Sequence, residues 1–300
     1  MYQVRRPSFS EMIPVRTLRY HVHVWGEHDS ARAPLVLLHG WMDVGASFQF
    51  LVDALDDGRR ILAPDWRGFG LSASGGADSF WFPDYLADLD FLLAHYCPQQ
   101  RVDLLGHSMG GNVAMAYAGI RPERVRRLIN VEGFGLPVTR PEQAPGRLTR
   151  WLDELQALHR GEIALRSYDD LHGVAARLTK TNPRLAPDKA LWLAQHWAQP
   201  DAHGRWTILG EAAHKLAHAQ LYRVDETLAL YRRIQAPTLV VLAEHNEMAR
   251  WWKDSYTQDE FLERLQQLPQ ARVQTLAQAG HMVHHDQPEA LAACISAFLD

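Results

Sequence analysis

Along the first third of the chain, short apolar runs alternate with amphipathic stretches. In LRYHVHVW, residues 18–25, Leu18, Tyr20, Val22 and Val24 alternate with polar positions, which predicts a half-buried strand. PLVLLHG (34–40) and RRILAPDWRG (59–68) read as strands, with a helix over ASFQFLVDALDD (46–57) between them. DYLADLDFLLAHY (84–96) repeats apolar residues at three- and four-residue spacing and predicts a helix. RVDLLGHS (101–108) is the next strand, MGGNVAMAYAGI (109–120) the next helix, and RVRRLINVEG (124–133) a further strand. Strands alternating with helices imply the α/β class, with a mostly parallel sheet and helices on both faces.

The rhythm stops at Gly135. Residues 136–234 are helical in pattern, Trp-rich and punctuated by proline, with no strand expected. It resumes with a strand in APTLVVLAE (236–244), a helix near 259–268, a strand in ARVQTLA (271–277) and a final helix from Pro288. The prediction is therefore one core assembled from residues 1–135 and 235–300, with a helical lid inserted over 136–234.

Composition narrows the function. The 300 residues are 47% hydrophobic and carry a net charge of −4, so no basic field invites nucleic acid or an anionic membrane. No apolar run approaches a membrane span, and the N-terminal stretch lacks the apolar core of a signal peptide. Only Cys97 and Cys294 occur, which argues against a disulfide framework and for a reducing cytoplasm.

The 16 histidines raise the question of a metal. His214 and His218 lie four apart on an expected helix, and a further cluster is HMVHH at 281–285. In HKLAH, Lys215 stands where the zinc-protease motif has glutamate, and no third ligand is spaced to complete it; solvated or hydrogen-bonded histidines are the expectation. No metal and no cofactor are expected.

Gly106-His107-Ser108-Met109-Gly110 fits G-x-S-x-G and lies between an expected strand and an expected helix. The pentapeptide alone recurs by chance. In that setting, however, the glycines permit a sharp turn that lifts a serine oxygen above the sheet, a nucleophile position.

With His39-Gly40-Trp41, Asp65-Trp66-Arg67-Gly68-Phe69-Gly70 and Gly280-His281, all in order, the chain resembles the α/β-hydrolase fold. It is most similar to the esterase-type serine hydrolases with a helical lid, over nearly its whole length. The resemblance implies Ser108 as nucleophile, His281 as its base, and the backbone N–H groups of Trp41 and Met109 as the oxyanion hole. His284 and His285 are then loop residues or partners of Asp286. Relatives with an aspartate at the elbow, the haloalkane dehalogenases and epoxide hydrolases, are set apart by Ser108, so an acyl-serine is the expected intermediate. Trp81, Trp197 and Trp206 either line an apolar substrate pocket or simply pack the insertion onto the core.

The expected activity is cofactor-independent hydrolysis of a small-molecule carboxylic ester. Lactone, thioester or C–C bond hydrolysis and perhydrolysis stay open on the same residues, as does a binding protein that has kept the fold and lost turnover. Oligomeric state is not legible.

The acid of the triad departs from the family pattern. Most relatives place it after the penultimate strand, where this chain reads Ala243-Glu244-His245-Asn246-Glu247 and the expected aspartate is Asn246. An amide offers no charge to a developing imidazolium. Glu132, at the end of the apolar run LINV, occupies the site that some haloalkane dehalogenases of this fold use instead, and the order Ser108, Glu132, His281 keeps serine, acid, histidine. Glu132 is the expected acid, with Glu244 and Glu247 as alternatives.

Overall fold

The computed structural model describes residues 2–27, 30–55 and 58–300. Eight strands form the main sheet: β1 (Phe9–Val15), β2 (Leu18–Trp25), β3 (Leu35–Leu38), β4 (Ile61–Pro64), β5 (Val102–His107) and β6 (Val125–Val131), joined late in the chain by two more. Between β6 and that pair lie β7 (Ser167–Tyr168), β8 (Ala198–Pro200) and β9 (Trp206–Ile208) of a separate small sheet; then come β10 (Thr238–His245) and β11 (Ala271–Gly280). The main sheet runs β1-β2-β4-β3-β5-β6-β10-β11. β1 with β2 and β2 with β4 are antiparallel; the remaining pairs are parallel.

Every residue of β3 and β5 is buried, as expected of strands covered on both faces, including Asp103, which is paired with Arg59 and Arg126. Side chains alternate across the sheet. Leu104, Leu128 and Val240 join the cluster that contains helices Phe82–Tyr96 and Met109–Ile120, while Leu105, Ile129 and Val241 join Leu51, Leu291 and Ile295 on the other face. β3 leads away to β4 on one side and β5 leads to β6 on the other. The order reverses between β3 and β5, the switch point where open α/β sheets leave a crevice.

Four differences from the sequence pattern emerge. β1 was not expected, because this edge strand is largely exposed and carries Pro14, so alternation is weak. The helix anticipated over 46–57 begins as a 3-10 turn, Gly45–Phe48, and continues as Gln49–Ala54; Asp56 and Asp57 lie outside the described residues.

The segment between β6 and β10 holds helices Ala144–His159, Leu171–Thr181, Pro187–Trp197 and Val224–Tyr231 as anticipated, but also the antiparallel sheet β7-β9-β8. Strands of two or three residues are too short to show a period of two.

The helix expected to carry both His214 and His218 does not form: only Ala212–Lys215 turns, as a 3-10 helix. Tertiary contacts override local propensity here. Glu211 N donates to Gly68 O and Gly70 N to Leu209 O, and the His214 ring is stacked between Phe69 and Phe80, each 3.7 Å away.

Candidate active site

The GHSMG segment leaves β5 and enters the helix Met109–Ile120 through Ser108, whose backbone sits at φ 52°, ψ −116°. That conformation is strained for any L-residue and persists only where neighbours fix it. Here Ser108 N donates to Val131 O at 2.8 Å and Asn112 N to Ser108 O at 3.1 Å. The turn is so tight that a Cβ on Gly106 would lie 2.1 Å from Gly110 O.

Glu132 lies at the end of β6, next to β5. Its backbone is also left-handed, at φ 56°. Glu132 N donates to Val241 O, and the Asn130 amide closes a ring with Gly133, accepting from its N–H and donating to its carbonyl. These bonds aim the carboxylate across the strand tops.

His281 follows Gly280 at the end of β11, and Gly280 N is held by Asp286 Oδ2. The three side chains meet: His281 Nε2 is 3.0 Å from Ser108 Oγ, and His281 Nδ1 is 3.2 Å from Glu132 Oε2. The other carboxylate oxygen accepts from Ala243 N at 2.7 Å. Glu132 is buried and His281 largely so, and each charged form loses water: the Glu132 carboxyl is pushed up and the His281 ring down. The downward shift favours the neutral ring, the state a base requires.

The alternative acids make other hydrogen bonds. Glu244 is half-exposed and accepts from Gln278 N, Glu247 pairs with Arg250 at 3.0 Å, and Asn246 donates to Gln258.

His39 shapes the loop after β3. Its Nε2 accepts from Trp66 N and its Nδ1–H donates to Gly40 O at 2.8 Å. Because the peptide is planar and trans, fixing that carbonyl turns the Trp41 N–H to the opposite side. Gly40 approaches Ser108 so closely that a Cβ there would lie 3.2 Å from Ser108 Cβ. Met109 N opens the helix behind Ser108. The Trp41 ring itself is exposed, its Nε1 donating to His214 O. Asp65 braces the same loop by accepting from Gly45 N, His21 Nδ1 and Leu71 N.

The other residues singled out in the sequence fall differently. His284 and His285 are neither loop residues nor partners of Asp286. They sit in the short helix Val283–Asp286, are buried, and share Ser47 Oγ through their Nε2 atoms, at 3.1 and 2.6 Å. Asp286 is taken up by Asn182 and Gly280. The apolar residues Val283, Phe48 and Phe50 around this turn draw the rings inward, which the run of polar letters could not foretell.

Trp197 and Trp206 pack on the cluster of Val44, Phe50, Val174 and Leu193, and Trp197 Nε1 donates to Asp43. Trp81 is exposed, its Nε1 on Gln220. The ring the sequence reading missed is Trp251, which stands edge-on to His281 with centroids 4.6 Å apart. It follows β10 in a five-residue helix too short to register as a pattern.

The chain is 25% identical to a serine hydrolase-like protein of Danio rerio, covering 99% of this chain and 90% of that one. It is 25% identical to the cis-3-alkyl-4-alkyloxetan-2-one decarboxylase of Shewanella oneidensis, covering 89% and 81%. Among solved structures, the thioesterase domain from the curacin biosynthetic pathway superposes with a TM-score of 0.83 at 25% identity, covering 96% and 99%. Residues 33–288 match the family described as the alpha/beta hydrolase fold, and to that family this chain belongs.

Proposed function

We propose that this protein is a serine hydrolase that cleaves carboxylic esters through an acyl-enzyme on Ser108. The observation that carries the reading is the relay itself: Ser108 Oγ at 3.0 Å from His281 Nε2, with Nδ1 at 3.2 Å from Glu132 Oε2. His281 takes the serine proton as Oγ attacks the acyl carbon, and Glu132 stabilises the imidazolium that results. The N–H groups of Trp41 and Met109 stabilise the oxyanion, the former oriented through His39 and Gly40. The imidazolium then protonates the departing alcohol, and water, activated by the same ring, hydrolyses the acyl-serine. No cofactor is required for these steps.

In this reading residues 136–234 form a cap that sets substrate choice. Support comes from their bonds to the loops around the nucleophile, including Trp41 to the His214 carbonyl and Trp197 to Asp43. Two similar proteins, a thioesterase domain and a decarboxylase of a four-membered lactone, favour a second reading in which the acyl group arrives as a thioester or strained lactone. The two free thiols suit a reducing cytoplasm.

The test is a series of p-nitrophenyl esters and matched thioesters from acetyl upward, combined with labelling by a fluorophosphonate. Turnover and labelling that both vanish in Ser108→Ala support the reading; unchanged kcat/KM in that variant overturns it.

A further inference from the structure

We propose that Asp43, His107 and His284 form a buried binding site for one divalent transition-metal ion of the zinc and cobalt class, and that its occupancy slows turnover at Ser108. One ligand atom from each of the three lies within 4.8 Å of the others, and all three residues are buried. Each is anchored from outside on one polar atom. His107 Nε2 donates to the His281 main-chain oxygen at 2.8 Å, His284 Nε2 is bonded to Ser47 Oγ, and Asp43 Oδ1 accepts from Trp197 Nε1. The second polar atom of each, His107 Nδ1, His284 Nδ1 and Asp43 Oδ2, is buried without a hydrogen bond, and Asp43 Oδ2 stands 3.8 Å from His284 Nε2.

Outer hydrogen bonds that fix the tautomer and leave a bare inner donor are how metal-binding histidines are held. His107 illustrates it: an Nε2–H committed to a carbonyl leaves the lone pair on Nδ1. Two imidazoles and a carboxylate make an N,N,O set suited to zinc or cobalt rather than to calcium or magnesium.

A second trio, His21, His23 and Asp65, has similar spacing but no comparable freedom. Both Asp65 oxygens are engaged, His21 uses Nδ1 on Asp65 and Nε2 on Ser10, and His23 Nδ1 meets Ser8. What distinguishes the first trio is its unpartnered donors.

Occupancy is coupled to the relay by geometry. Metal–ligand bonds of ~2.0–2.1 Å place tetrahedral donors about 3.4 Å apart, so atoms up to 4.8 Å apart must close on the ion. His107 cannot move alone. It precedes Ser108, and its Nε2 carries the backbone of His281. A displacement of ~1 Å in a relay costs on the order of 10²-fold in rate.

The experiment is a cobalt titration of the purified full chain, equilibrated for hours because the site is closed, followed by visible d–d absorption and by ester turnover. The expected result is one equivalent bound, with turnover falling at least tenfold at the same midpoint. Asp43→Asn keeps the acceptor for Trp197 and should weaken cobalt binding at least tenfold; His284→Gln should do the same, and melting in EDTA shows which variants fold. The rate measurement rests on the acyl-transfer reading, whereas the absorption measurement does not and decides the site even for a protein without esterase activity. Absence of a stoichiometric band in the wild-type protein, as for a trio bridged by water alone, overturns the site. So does a band unchanged in both variants, which would belong to surface histidines. A band without loss of rate overturns the coupling.

Discussion

Ser108 and Glu132 stand side by side, each one residue beyond the paired His107 and Val131 at the ends of β5 and β6, and both hold left-handed backbones at φ 52° and 56°. Two strained residues on neighbouring strand tops present a hydroxyl and a carboxylate to one imidazole from β11. Strain of this kind costs on the order of 1–3 kcal/mol per residue and is kept where geometry matters. Ser108→Gly should therefore raise the melting temperature while abolishing turnover, whereas Ser108→Ala should abolish turnover with no such gain. Thermal melts beside ester assays check this; a Ser108→Gly protein no more stable than Ser108→Ala would remove strain from the account.

Glu132→Gln keeps shape and loses charge. Its kcat should drop by about 10²–10⁴-fold with little change in KM, since the carboxylate acts on the imidazolium rather than on bound substrate. Glu244→Gln and Glu247→Gln should be mild, because those carboxylates bond to Gln278 N and Arg250. A crippled Glu247→Gln beside a nearly intact Glu132→Gln would move the acid to the later strand.

Acid should destabilise the fold. Burial holds His23 and His281 at about 4, and His107 and His214 at about 3, against an ordinary value of 6.5. The unfolded chain therefore takes up protons first as pH falls through 6.5, while the folded chain resists until far lower. Stability is fully present above about pH 6.5 and falls below it, each such histidine steepening the loss by up to ~1.4 kcal/mol per pH unit. Melting temperature should decline steeply from pH 7 to pH 5, and less steeply in His214→Phe, which keeps the aromatic stack. A flat profile would contradict neutral burial.

The tryptophans should separate by function. Trp251→Ala opens space beside His281 and should change relative kcat/KM across acyl lengths more than it changes melting. Trp206→Ala should do the reverse, because that ring packs on the apolar cluster around Phe50 and Leu193. A uniform rate loss in Trp251→Ala with a large fall in melting temperature would make it a packing residue as well.

The parts legible in the sequence are those governed by local rules. The elbow needs its glycines within five residues, and β3 needed only a run of buried apolar side chains. Glu132 was readable because a charge at the end of such a run is costly without a partner. Residues whose surroundings are assembled by distant segments were not legible. His284 and His285 look polar in the text, yet Ser47 lies 237 and 238 residues away and decides their place. His214 left its expected helix for a slot between Phe69 and Phe80, and Trp251 is defined solely by the ring it touches.

The relay also sets an order of events for the newborn chain. Ser108 and Glu132 can be placed as soon as β5 and β6 pair, but His281 is 173 residues downstream of the serine it serves. Closing so long a loop is slow compared with forming a neighbouring βαβ unit, so the base arrives among the last contacts made. A folding intermediate with β5 and β6 in place would carry an elbow serine without a proton acceptor. Such a species would lack the relay, and competence would appear only when β11 docks on β10.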